Sequence, residues 1–171
     1  PNLVSSVDIA RTFMDLAGAK YGDTFVGKSF ASMLENPNAS IRDYAFGEKN
    51  WHDFSDRCRY VRGERFKYIR NFYPHYPNTP SADALRSPVF RAMQKLRDVG
   101  KLNAAQMNCF IKPRPKEELY DLENDPYELN NLAGKPQYVT HLKRLRAELE
   151  GWQKRTDDRE PEFEAPDEFD R

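Results

Sequence analysis

Residues 136–155, PQYVTHLKRLRAELEGWQKR, decide how the C-terminal part of this chain folds. Apolar side chains recur along this stretch at intervals of four and three residues, and charged residues fill most positions between them. This spacing predicts an α-helix with one narrow apolar seam that needs a partner surface. A proline at the start agrees with a helix N-terminus. The seam consists of Tyr138, Leu142, Leu145, Leu149 and Trp152.

The partner surface is predicted upstream, in a strand-rich segment. Residues 57–62 and 65–70 are rich in aromatic and β-branched side chains and flank Gly63 and Glu64, which is typical of a β-hairpin. Two further short strands are expected near residues 44–48 and 118–122. We therefore predict an α+β fold, in which a small antiparallel β-sheet of about four strands carries the 137–155 helix on one face.

A second amphipathic helix is predicted at the N-terminal end, over residues 6–17. Ser5 and Ser6 are suitable caps, Asp8 favours the first turn, and Gly18 ends the helix. The chain begins at Pro1 and enters this helix almost at once, which favours a piece of a longer protein. We expect the apolar face to have packed against another domain; it consists of Ile9, Phe13, Leu16 and Ala17.

Charge and cysteine content restrict the function classes. The 171 residues carry 27 basic and 27 acidic side chains, so the formal net charge is zero. A dedicated nucleic-acid surface needs a basic excess, and we expect no nucleic-acid partner. The apolar runs are far too short to cross a bilayer, so no membrane partner is expected. Cys58 and Cys109 could pair, but two cysteines do not demand a disulfide framework.

Residues 118–133, ELYDLENDPYELNNLA, form the most distinctive motif of the chain. Acidic residues at 121, 123 and 125 resemble the start of a calcium loop. An EF-hand loop needs glycine at its sixth place and glutamate at its twelfth, where this chain has Pro126 and Leu132. The motif is therefore interpreted as a strand, an Asp-Pro turn and a short approach to the last helix.

Three motifs, in the same order along the chain, resemble the C-terminal part of the sulfatase family. They are VDIARTFMDLAG at 7–18, RYVR and FKYIRN at 59–62 and 66–71, and the 118–133 motif. One position departs, because Arg11 stands where the family usually has proline. Phe46-Gly47-Glu48 with His52-Asp53, and the segment SPVF at 87–90, resemble the heparan N-sulfatase (sulfamidase) branch.

The resemblance implies a two-domain protein with an alkaline-phosphatase-like fold, whose large α/β domain carries the catalysis. Sulfatases use a formylglycine made within a C-x-P-S-R or S-x-P-S-R motif, together with a bound calcium. Neither Cys58 nor Cys109 lies in such a motif, so we predict no catalytic residue and no metal ligand in this chain. Residues 1–35 would end the large domain and its linker, 36–155 would form the C-terminal subdomain, and 156–171 an acidic tail.

The loop after the first strand holds the candidate substrate-binding residues, which are Glu48, Asn50, Trp51 and His52. A sulfated sugar needs hydrogen-bonding and cationic groups for its anion and an aromatic face for its ring, and this loop offers both. Alternatively, the histidine bonds a neighbouring backbone group and the tryptophan fills the core. The hairpin also carries a basic cluster, interpreted as a solvated face paired with acids such as Asp56 and Glu64, or as a steering surface for sulfated polysaccharide.

We expect this chain to complete the substrate cleft of a sulfatase that hydrolyses sulfate esters or sulfamates, and to be inactive alone. Its partners would be the missing N-terminal catalytic domain and a sulfated carbohydrate. By analogy with the family, the protein would be periplasmic, secreted or lysosomal. Two alternatives remain: an independent carbohydrate-binding or interaction module, which would cover its own Phe13 and Leu16, and part of a related phosphodiesterase.

Overall fold

A computed structural model describes residues 2–50, 53 and 55–161 of the chain. Its centre is a four-stranded sheet in the order β1-β2-β3-β4, with every neighbouring pair antiparallel. Each strand lies within one residue of its predicted position, which confirms the α+β prediction. The strands are β1 (Ala45–Lys49), β2 (Cys58–Arg62), β3 (Phe66–Asn71) and β4 (Glu117–Asp121).

The strand register brings one apolar row to a single face of the sheet. Val61 lies opposite Tyr68, and Tyr68 lies opposite Leu119. All three side chains are completely buried. Because side chains alternate between the two faces of a strand, this row gives the sheet one continuous apolar surface. That surface is the partner that the C-terminal helix needs.

The C-terminal helix, α6 (Val139–Arg155), packs on this row after a 3-10 turn at Pro136–Tyr138. Leu142, Leu145 and Leu149 are at most 7% exposed, and they form one cluster with the sheet residues. Trp152 stacks on Phe46 of β1, with ring centroids 5.4 Å apart. The predicted apolar seam is therefore confirmed.

The N-terminal helix, α1 (Val7–Leu16), is held by polar groups, and a short α2 (Ala31–Glu35) follows it. The predicted serine caps are wrong, because Ser6 makes no side-chain capping bond. Instead the buried Asp8 carboxylate accepts the backbone N–H groups of Ser5 and Lys28, both at 2.7 Å, and pairs with Arg42. The apolar face stays open, since Ile9, Phe13 and Leu16 are 46–65% exposed.

Residues 72–116 form an insertion between β3 and β4. Three α-helices lie in it, and Ser87 caps the second of them, α4, because its side chain accepts the Phe90 N–H at 3.1 Å. Phe90 is buried, whereas its neighbour Val89 is 70% exposed. Within the described residues no helix is long and apolar enough to cross a membrane. The helices are α3 (Ala82–Leu85), α4 (Pro88–Asp98) and α5 (Ala104–Met107).

Candidate functional site

The predicted substrate loop begins where β1 ends, and two of its four residues can be located. Glu48 is exposed and lies 3.7 Å from Arg59. Asn50 accepts a hydrogen bond from the Arg59 guanidinium at 2.8 Å. Trp51 and His52 lie outside the described residues, so their binding role stays a prediction. Arg59 therefore contacts both located residues of this loop.

Arg59 lies in β2 and is only 3% exposed. It donates two hydrogen bonds to the Asp158 carboxylate, at 2.9 and 2.7 Å. Burial by itself would lower the pKa of Arg59, but the bonds to Asp158 outweigh it and the pKa is raised. The same bonds, together with one from Gln153, lower the pKa of Asp158. The pair is therefore fully charged near neutral pH.

Asp56 forms a second buried ionic group beside the first. Arg114, from the end of the insertion, pairs with the Asp56 carboxylate, and Lys49 contributes another ion pair at 2.9 Å. Burial would raise the pKa of Asp56, but the hydrogen bonds from Arg114 and Lys49 reverse the shift and lower it. The two cations thus hold Asp56 ionised.

Arg57 differs from its neighbours because its guanidinium is buried yet poorly satisfied. The residue is 4% exposed, and its Nε and Nη1 atoms have no hydrogen-bond partner among the described residues. It stacks over the Phe72 ring at 4.1 Å. Its carboxylate neighbours are Asp158 at 3.8 Å and Glu160 at 3.7 Å, which are ion-pair distances and not hydrogen bonds. Arg57 therefore keeps donors that an anion could use.

Five of these side chains line an open groove of about 510 Å³ next to the predicted loop, and the other two, Lys49 and Arg114, pair with Asp56. We call them together the strand-end cluster. The groove lining carries three arginines against four carboxylates, so it has no positive excess. An anion bound there would depend on the unused donors of Arg57. The cluster consists of Lys49, Asn50, Asp56, Arg57, Arg59, Arg114 and Asp158.

Cys58 follows Arg57 of the cluster in the chain. Burial and the charge of Asp56 raise the pKa of Cys58 to about 11, so its thiol is protonated at neutral pH and is a poor nucleophile. Both cysteines are unpaired. In the part of the chain that the structure describes, no three His, Cys, Asp or Glu residues could hold a metal ion together.

Sequence reasoning missed most of this cluster. Arg57 and Asp158 lie about a hundred residues apart with Arg114 between them, and no spacing connects the three. The interpretation of the hairpin cations as a solvated face is wrong for Arg59, which is buried. The acids that pair with the hairpin include Asp121 with Arg65 at 2.7 Å and Glu128 with Lys67 at 2.7 Å. Asp56 instead pairs with Arg114 and Lys49.

Comparison with known proteins identifies sulfatase relatives. An ulvan-active sulfatase of Formosa agariphila is 38% identical over 154 residues, covering 89% of this chain and 25% of the relative. Human N-sulphoglucosamine sulphohydrolase is 31% identical over 179 residues, covering 96% of this chain and 34% of the relative. A solved structure with its substrate D-glucosamine-2-N,6-O-disulfate has a TM-score of 0.59 at 25% identity, covering 90% of this chain and 24% of that one. No family model matches the chain.

The chain therefore belongs to the sulfatase family, and it matches the C-terminal part of these proteins. It spans a quarter to a third of the length of the two relatives named above. The predicted branch was the sulfamidases, and the human relative, by its name, acts on N-sulfoglucosamine. The ulvan-active sulfatase, however, matches this chain at higher identity. The sulfatase prediction and its fold class are confirmed.

Proposed function

We propose that this chain is the C-terminal subdomain of a sulfatase, in which it forms one wall of the cleft that binds a sulfated carbohydrate. The observation that carries the proposal is the 38% identity to a sulfatase over 89% of the chain. The whole protein would hydrolyse sulfate esters or sulfamates. The named relatives act on ulvan and on N-sulfoglucosamine, and the structural relative binds a disulfated glucosamine, which supports a sulfated sugar as the ligand.

The strand-end cluster supports a binding role for this wall. A sulfate group carries a fixed negative charge, and charge-assisted hydrogen bonds from guanidinium groups are the strongest that a protein offers such a group. Arg57 supplies unused donors at the groove, and Asn50 marks the start of the predicted loop. His52 would add a donor whose charge rises in slightly acidic solution, while Trp51 would offer a ring face for the sugar.

The hydrolysis itself would depend on groups outside these 171 residues. We propose that a formylglycine and a calcium ion on an N-terminal catalytic domain supply the nucleophile and the stabilisation of negative charge. The exposed apolar face of α1 is consistent with a position against such a domain. Residues 1–35, 36–155 and 156–171 remain our division of the chain, and export or a lysosomal location remains an expectation.

The test is sulfate release, measured separately on the longer protein and on the 171-residue chain. We expect the longer protein to release sulfate from a sulfated saccharide and to lose that activity when a chelator removes its metal. The chain alone is expected to release none. Sulfate release by the purified chain, or none by the longer protein from any sulfated saccharide, would contradict the proposal.

A second experiment examines the predicted loop. In the longer protein, His52→Ala should lower kcat/KM about ten- to hundredfold, since one hydrogen bond to a charged group is lost. The melting temperature should stay unchanged. His75→Ala, at an exposed histidine of the insertion, is the matched control and should keep normal kinetics. Equal kinetics for both variants would exclude His52 from the substrate site.

A further inference from the structure

The insertion between β3 and β4 contains a pocket that lies apart from the strand-end cluster. Its volume is about 270 Å³, and we call it the insertion pocket. Phe90 and Phe110 form part of its wall, with ring centroids 5.3 Å apart and planes tilted by 31°. Two neighbouring ring faces make a surface on which the flat, C–H-rich face of another ring packs well.

A buried polar group in this pocket lacks a partner. Thr79 lines the pocket and is 8% exposed, and its hydroxyl makes no hydrogen bond within the described residues. Leaving a buried hydroxyl unpaired costs free energy, so such groups are normally satisfied by protein, water or ligand. A ligand that carries hydroxyl groups would satisfy Thr79, whereas a hydrocarbon would not.

Two cations give the pocket a preference for acidic ligands. The Arg97 guanidinium lies 4.9 Å above the Phe110 ring, and Asp98 is close to its Nε and Nη2 atoms at 2.9 and 2.8 Å. Lys112 also lines the pocket, is exposed and makes no ion pair with the described residues. Ring faces, a free hydroxyl and cations together match an acidic sugar.

We propose that the insertion pocket binds an anionic saccharide unit, namely the neighbour of the sugar that occupies the cleft. The inference rests on the proposed function and makes the substrate an oligosaccharide or polysaccharide. The pocket is suitably placed, because Asp53, next to the predicted loop, accepts the Ala82 N–H of α3 at 2.6 Å. Leu85, the last residue of that helix, lines the pocket. Asp53 and the insertion pocket therefore both contact the segment that holds this short helix.

Cys109 provides a direct reporter of occupancy, because it lines the pocket and its thiol is unpaired and only partly buried. The 171-residue chain is alkylated with iodoacetamide, and peptide mass spectrometry follows Cys109 and Cys58 separately. The probes are a sulfated glucosamine–uronic acid tetrasaccharide, its desulfated and carboxyl-reduced counterpart, D-glucosamine-2-N,6-O-disulfate, and benzoate. We expect the sulfated tetrasaccharide to slow alkylation of Cys109 in a saturable way and to leave the rate at Cys58 unchanged.

Lys112→Gln should weaken this protection about tenfold, because one charged contact is lost. The control is Lys101→Gln, because Lys101 is an exposed lysine of the same insertion that does not line the pocket. In this variant the sulfated tetrasaccharide should protect Cys109 as well as it does in the unmodified chain. Since Lys112 is exposed, the variant keeps its fold, which circular dichroism checks. Any of three results would overturn the inference. The neutral tetrasaccharide protects Cys109 equally well, benzoate alone protects it, or no probe protects it.

Sulfate release by the longer protein separates the two proposals. If it hydrolyses the monosaccharide and the tetrasaccharide but no probe protects Cys109, the insertion pocket is wrong and the sulfatase function stands. If the sulfated tetrasaccharide protects Cys109 but nothing is hydrolysed, the pocket stands as a saccharide site and the proposed function fails. With both correct, Lys112→Gln should raise KM for the tetrasaccharide and leave the kinetics for the monosaccharide unchanged.

Discussion

Replacing Asp158 with alanine should destabilise the fold by about 3–5 kcal/mol, because it removes the hydrogen-bonded counter-ion of the buried Arg59 and leaves the exposed Glu48, 3.7 Å away, as its nearest described carboxylate. Asp158 accepts two hydrogen bonds from Arg59 at 2.9 and 2.7 Å and one from Gln153 at 2.8 Å. The Arg59 side chain is only 4% exposed, so water cannot replace these bonds. A loss of this size is a large fraction of the roughly 5–15 kcal/mol that stabilises a typical domain.

Urea denaturation followed by circular dichroism measures this loss. Arg159→Ala is the matched control, because Arg159 is the next residue and its side chain is 81% exposed. That change should stay within about 0.5 kcal/mol of the parent. Replacing both partners, in Arg59→Met with Asp158→Ala, should recover part of the loss, since no unpaired charge is then buried. A loss below about 1 kcal/mol for Asp158→Ala would show that Arg59 is not held as described.

The ion pair also predicts a pH dependence. Arg59 lowers the pKa of Asp158 in the folded chain, so the unfolded state binds protons at higher pH than the folded state does. The ion pair therefore makes its full contribution to the free energy of unfolding above the ordinary aspartate pKa of about 3.9. This contribution is lost as the pH falls through the lower pKa that Asp158 has in the folded chain. The Asp158→Ala variant should lack this part of the acid-induced loss of stability.

Three further perturbations test the fold. Leu145→Ala should lower the free energy of unfolding by about 2–5 kcal/mol, because Leu145 is completely buried between helix and sheet. Lys143→Ala, on the exposed side of α6, is the control and should change it very little. Similar losses for both variants in urea denaturation would contradict this packing. Gly47→Ala should lower stability by about 1–3 kcal/mol, because the new methyl group would lie 2.3 Å from the Tyr60 ring, and an unchanged urea midpoint would refute that contact. Hydrogen bonds from Arg65 lower the pKa of Asp121 to about 2, so Asp121→Asn should flatten the fall in stability between about pH 4 and pH 2. Identical acid titrations of the parent and this variant would argue against the pair.

Local sequence patterns predicted the helices and strands well and the helix caps less well. Gly18 and Gly100 end helices with φ of 61° and 66°, a backbone conformation that glycine adopts without strain. Ser87 caps α4 through its side chain, whereas Ser6, a predicted cap, does not cap α1. The difference is that Asp8 reaches residues 28 and 42, far along the chain, and such partners cannot be read from the first turn alone.

The sequence by itself determined the sheet, the hairpin, the apolar seam of α6 and the family resemblance, because periodicity and motifs act over a few neighbouring residues. Only the tertiary structure decided which charges are buried and with which partners they pair. Arg59 and Asp158 are ninety-nine positions apart and meet because α6 returns across the sheet. The insertion pocket likewise exists only because the Phe90 and Phe110 rings are brought together. Contacts of this kind depend on the path of the whole chain, so no local pattern could predict them.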